Sequence, residues 1–179
     1  MSYLNSYVSA ISDIFAKFSS SEFLQSIDLI NSTKAKGGKL VFVGNGGSAA
    51  IASHLSVDFT KACNIRGISF NEADLLTCFS NDFGYENWVV NALQYYVDPD
   101  DLVFLISSSG ESKNIVKAAE YCRSENIKLI TLSGFRAENP LRQIGNINVY
   151  ADSSRYNYVE MVHHIWLVAL VDYLSVDKS

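Results

Sequence analysis

The sequence predicts an α/β fold: a three-layer, doubly wound sandwich with a five-stranded parallel sheet, preceded by N-terminal helices. Three observations carry that expectation. Strand-like runs near 39–43, 66–70, 102–106, 128–133 and 147–151 are mostly too apolar to be half-exposed, which is how strands covered on both faces read. Helix-period segments sit between them, and alternating β and α units imply parallel strands joined by crossovers. Two strand-to-helix junctions, Gly44-Asn45-Gly46-Gly47-Ser48 and Ser107-Ser108-Ser109-Gly110-Glu111-Ser112, are rich in glycine and hydroxyls.

Taken in order, residues 2–17 place Leu4, Val8, Ile11, Ile14 and Phe15 at helical spacing. Phe23, Ile27 and Ile30 continue the pattern in a second helix that Gly37-Gly38 ends. Residues 1–36 thus read as a helical appendage ahead of the α/β unit. Helical stretches follow at 48–62, about 85–97, 112–125 and 139–144, with a last helix from about 156 to 176. Pro99-Asp100-Asp101 is a turn before a strand. With only two prolines and no low-complexity stretch, residues 1–179 read as one domain. The last helix is apolar almost all round, through Val162, Ile165, Trp166, Leu167, Val168, Ala169, Leu170 and Val171. Such a helix, with two amphipathic ones ahead of the sheet, predicts a helical subunit interface.

Composition narrows the function classes. With 48% hydrophobic residues the chain can bury a substantial core. A net charge of −5 argues against a nucleic-acid surface, which needs a basic face. No run of about 18 apolar residues predicts a membrane span, and the N-terminus lacks the pattern of an export signal. Cys63, Cys78 and Cys122 are scattered with no CxxC, so neither a disulfide framework nor a structural zinc site is expected. A reducing compartment, the cytoplasm, fits.

The two loops carry the chemistry. A strand, a glycine-rich turn and a helix present free backbone N–H groups and a positive dipole end to an anion. Ser48 and the serines of the second loop add hydroxyl donors. Together the loops suggest a cradle for a phosphate and an attached polyol. No P-loop lysine or complete GxGxxG supports a nucleotide. Serines at a helix start can also be simple N-caps, and Asn81-Asp82-Phe83-Gly84 can be an ordinary turn. His54 and Asp58 lie four apart, as do Glu160 and His164, so each pair shares a helix side. Converging, they would make a zinc site or an acid–base cluster; the alternative is solvated helix faces.

These residues in this order resemble the sugar isomerase (SIS) domain family, most closely its phosphoheptose isomerase branch: Gly44 to Ala50 with His54, then Asn81-Asp82-Phe83-Gly84, then Ser107 to Ser112, and finally Glu160-Met161-Val162-His163. The resemblance spans nearly the whole chain. It implies isomerisation of sedoheptulose 7-phosphate to a heptose 7-phosphate for surface polysaccharides, in a homotetramer with active sites near subunit interfaces. It also implies that Ser48, Ser107, Ser109 and Ser112 hold the phosphate, with Gly46, Gly47 and Ser108 shaping the cradle. Asn45 and Asp82 would contact substrate hydroxyls.

The chain departs from the pattern at the catalytic end. His54 matches the family's first-helix histidine, but Asp58 stands where the family has its glutamate base. Glu160 stands where glutamine is usual, and His163 matches a common histidine. Val168 occupies the place of the second catalytic and metal-binding histidine. Two outcomes follow. His164 replaces the missing group, with His54, Asp58, Glu160 and His164 serving catalysis or ligating zinc. Alternatively the chain is a non-catalytic tetramer that binds a phosphosugar or a partner protein, as does the relative associated with the bacterial replication initiator. A phosphosugar-sensing domain is a third reading.

Overall fold

The computed structural model describes residues 2–175. Met1 and the expected end of the last helix at 176 lie outside the described residues. Helices α1 (Tyr3–Phe15) and α2 (Ser20–Ala35) precede strand β1 (Leu40–Gly44), helix α3 (Gly47–Cys63) and strand β2 (Gly67–Ser69). Helices α4 (Ala73–Phe83) and α5 (Trp88–Tyr96) lead into strand β3 (Leu102–Ser107), helix α6 (Lys113–Ser124) and strand β4 (Lys128–Ser133). A single 3-10 turn (Leu141–Gln143), strand β5 (Ile147–Tyr150) and helix α7 (Tyr156–Leu174) complete the order.

The five strands form one parallel sheet in the order β2-β1-β3-β4-β5, as expected. Alternation along the central strands divides the core. Leu40, Phe42, Leu102 and Phe104 face α2, α3 and α7, where they meet Ile30, Leu55, Phe59, Trp166 and Leu167. Val41, Val43, Val103 and Leu105 face the opposite layer, against Trp88, Val89, Ile115 and Ala118. Phe42 stacks on Phe104 at 4.6 Å and on Phe59 at 5.5 Å between ring centroids. The N-terminal helices are part of this packing: Ile27 and Ile30 belong to the main core, and Ile14 packs with Tyr158 and Val162.

Two local expectations are corrected. Residues 73–83 form α4, so Asn81, Asp82 and Phe83 are its last turn and only Gly84, at φ 81°, is the break. Leu75, Leu76 and Phe79 pack that helix partly buried against α5 and the sheet, a non-local contact that the polar end of the segment obscures. The expected helix at 139–144 is the single 3-10 turn, held by buried Asn139, whose Oδ1 accepts the Arg142 N–H at 3.0 Å. The last helix buries one side only, and its solvent side also carries apolar residues. Val159, Val162, His163, Trp166 and Leu170 face inward while Met161 and Ile165 are exposed.

Helix α7 is anchored to the sheet by His163. Its Nε2 donates to the Ser133 carbonyl at the end of β4 at 3.0 Å, and its Nδ1 is buried without a partner. Burial pushes its pKa down to about 4, the bond to Ser133 opposing the shift. Between pH 4 and about 6.5 the unfolded chain carries this proton and the folded chain does not, so acidification favours unfolding. The group should remove about 3 kcal/mol of stability between pH 7 and pH 4. Urea unfolding should show that loss in the wild type and a flatter pH dependence in His163→Gln, even if that variant is weaker at pH 7.

Candidate active site

The strand order reverses between β1 and β3, whose parallel pairing runs from Leu40 beside Leu102 to Gly44 beside Ile106. A ligand crevice is expected at such a switch point, outside the carboxyl ends of the strands. The two glycine- and serine-rich loops leave these strand ends, and they form the walls of a pocket of about 110 Å³. Asn45, Ser48, Ser107, Ser108, Ser109 and Ser112 line it, joined from α7 by Tyr156 and Glu160.

Each loop has a backbone reason for its residues. Gly46 sits at φ 55°, ψ −121°, a conformation that side chains resist. A Cβ on Gly47 would run into the Glu160 carboxylate, so the glycine leaves room for α7 to bring an acid to the pocket rim. In the second loop Gly110 has φ 69° and lies against the Asn139 side chain. Ser109 Oγ accepts the Glu111 N–H at 3.2 Å, and the Ser107 and Ser112 hydroxyls lie 3.1 Å apart. Ser112 is the N-cap residue of α6 yet makes no capping bond, and Ser108 Oγ is enclosed without a partner. These hydroxyls therefore exceed what capping uses. The N-terminus of α6 adds its dipole to the same wall.

Asn45 does more than the sequence suggests. Its amide exchanges two hydrogen bonds with Asn114 of α6, each 3.0 Å, and its Oδ1 also accepts from Tyr85 OH at 3.1 Å. It therefore ties the two loops together. Asn114, Tyr85 and Tyr156 were not foreseen, because their approach is set by tertiary packing. Asp82 lines a hollow apart from the serine pocket, beside Phe79, Phe83, Tyr95 and Tyr96. Asn81 Nδ2 donates to its carboxylate at 2.9 Å, and Cys78 Sγ approaches it at 3.6 Å.

The candidate acid–base residues His54, Asp58 and His164 gather where α3 meets α7. His54 Nε2 lies 2.9 Å from Asp58 Oδ2, and His54 Nδ1 lies 2.7 Å from His164 Nε2. The two imidazoles meet edge to face, 86° apart. Burial holds the His164 pKa below the usual histidine range; neighbouring His54 adds to this and Asp58 opposes it. Glu160 stands apart from this chain of contacts, its carboxylate lying over Gly47.

The four expected zinc ligands therefore do not converge. Both His54 nitrogens are committed, one to Asp58 and one to His164, and Val168 is packed against the core. Among the described residues no group of three His, Cys, Asp or Glu is arranged to hold a metal. The residues as placed do not fit a metal centre.

Fold and site together define a class, the doubly wound α/β proteins with a serine-lined pocket at the sheet's switch point. The chain belongs to the SIS domain family, whose model matches residues 2–134. A phosphoheptose isomerase of Akkermansia muciniphila is 28% identical over 169 residues, covering 90% of this chain and 89% of that protein. One from Serratia proteamaculans is 32% identical over 147 residues, covering 79% and 74%. Among solved structures, a phosphoheptose isomerase from Neisseria gonorrhoeae superposes with a TM-score of 0.86 at 21% identity, covering 96% of this chain and 98% of that one. At that identity the superposition speaks for the fold.

Because Ser112 caps nothing, Ser112→Ala should lower stability by less than the roughly 1 kcal/mol of an ordinary cap loss. It should nonetheless weaken binding of inorganic phosphate about tenfold, the loss of one hydrogen bond to a charged group. Thermal unfolding and calorimetric titration measure the two effects separately.

Proposed function

We propose that the chain is a ketose–aldose isomerase of sugar phosphates, converting sedoheptulose 7-phosphate to a heptose 7-phosphate for surface polysaccharide synthesis. The observation that carries this reading is the distance between cradle and acid–base groups. Ser48 and His54 are six residues apart on one helix, about 9 Å of rise. A bent chain of six or seven single bonds, each about 1.5 Å, spans the same length. A phosphate held by the serines would leave the first two carbons of a seven-carbon sugar within reach of His54 and His164, with Glu160 nearer the phosphate at the cradle rim. A three-carbon sugar phosphate stops short of them.

The reaction needs only proton movements. A base takes a proton from C1 of the ketose, the C–H electrons form a C1–C2 double bond, and O2 gains a proton. The resulting enediol is protonated at C2 as O1 loses its proton and becomes the aldehyde oxygen. In this reading His164, beside His54, and Glu160, at the cradle rim, would accept and return these protons while the cradle fixes the chain for them. The phosphoheptose isomerase names of the relatives support this substrate class.

Assembly and compartment belong to the same proposal. Exposed Leu4, Val8, Met161 and Ile165 on α1 and α7 support a homotetramer. No helix of the described residues is long and apolar enough to cross a membrane, which agrees with work in the cytoplasm. One observation favours a second reading, a ligand-binding tetramer without turnover: Val168 fills core space where the resemblance implies a histidine.

Incubation with sedoheptulose 7-phosphate should yield aldose, while dihydroxyacetone phosphate should turn over at least about a hundredfold more slowly, because its carbonyl cannot reach His54 and His164. Binding of the heptulose phosphate without aldose formation would favour the second reading.

A further inference from the structure

We infer that Asp58, His54 and His164 form a metal-independent hydrogen-bonded relay whose proton-accepting end is Nδ1 of His164. The inference rests on the isomerase reading and assigns its base. It follows from donor and acceptor rules applied along three side chains. An ionised Asp58 can only accept, so the His54 nitrogen facing it, Nε2 at 2.9 Å, carries hydrogen. Neutral His54 then has a lone pair on Nδ1. The His164 nitrogen facing that lone pair, Nε2 at 2.7 Å, must therefore be the donor. Neutral His164 is left with an unprotonated Nδ1 at the end of the chain. One carboxylate thus fixes the tautomers of two imidazoles.

The relay also accounts for the departures from the family pattern. Asp58, one methylene shorter than glutamate, closes on His54 within its own helix at the four-residue spacing. Its task here is to orient His54, so reach toward substrate is not its limitation. Val168, one turn beyond His164 on α7, leaves the imidazole edge of His54 to His164 alone. His164 lies one turn beyond Glu160, whose carboxylate marks the pocket rim over Gly47. A proton taken from C1 by His164 Nδ1 puts the positive charge on an imidazolium that His54 and Asp58 stabilise in line. The proton returns from the same nitrogen to C2. His164 is the catalytic residue of this relay; His54 and Asp58 are positioning residues.

Three measurements on the full chain test the relay. Nitrogen-15 NMR of the histidines should show Nε2–H tautomers for both His54 and His164; an Nδ1–H tautomer at His164 would overturn it. In Asp58→Asn, whose amide can donate to His54 Nε2, both tautomers should invert; unchanged tautomers would count against the assignment. In kinetics with sedoheptulose 7-phosphate, His164→Gln should lower kcat at least about a hundredfold, with KM within about threefold of wild type because the cradle is untouched. Asp58→Glu should also lower kcat, whereas an increase would mean that reach, not orientation, is limiting. Activity should survive removal of metal by chelation, and loss restored by zinc would sink the metal-independent assignment. If the wild type shows no turnover at all, the isomerase reading fails, and the NMR tautomers still decide whether the hydrogen-bonded chain exists as drawn.

Discussion

Parallel pairing of β1 with β3 sets where everything else in the site can be. These strands are neighbours in the sheet although α3, β2, α4 and α5 lie between them in sequence. Their carboxyl ends, Gly44 and Ile106, sit side by side. The loops that leave them go to helices on opposite faces, α3 toward one core and α6 toward the other. A crevice must open between such diverging chains. The Asn45–Asn114 amide pair then fixes its width, because two reciprocal hydrogen bonds tolerate little sliding.

Helix α7 completes the site through residues that face three ways within five positions. Glu160 leans over Gly47 at the rim, His163 points inward to the Ser133 carbonyl, and His164 meets His54. The inward bond fixes the rotation of the helix about its axis. The other two side chains take their directions from that rotation. A polar group in the core is costly unless it is bonded, and here one bonded imidazole orients two ionisable side chains that touch different parts of the site.

The sequence made the sheet legible because its signals are local. Apolar runs of strand length, glycine at the turns and hydroxyls at the helix starts each act within a few residues. Thus Ser48, Ser107, Ser108, Ser109 and Ser112 line one pocket, and Glu160, expected beside the histidines, lines that pocket instead. Four-residue spacing placed His54 and Asp58 together correctly, but spacing gives a helix side and not a direction. It could not tell that Glu160 turns to Gly47 while His164 turns to His54. Contacts made across the fold escaped altogether: Asn114 on Asn45, Tyr85 above them, and α4, whose apolar face shows only once α5 and the sheet are beside it. Asp82, at the end of α4, lines a separate hollow with Phe79, Phe83, Tyr95 and Tyr96, a neighbourhood set by that helix's packing.

The lining of the cradle includes hydroxyls, an amide and a carboxylate, and among the described residues no lysine or arginine. A dianionic ligand approaching a chain of net charge −5 meets no long-range attraction to guide it. Capture depends on short-range dipoles felt only after the water between has been shed. Entry is opposed by the chain's net negative charge, and dissolved salt that screens this repulsion quickens it.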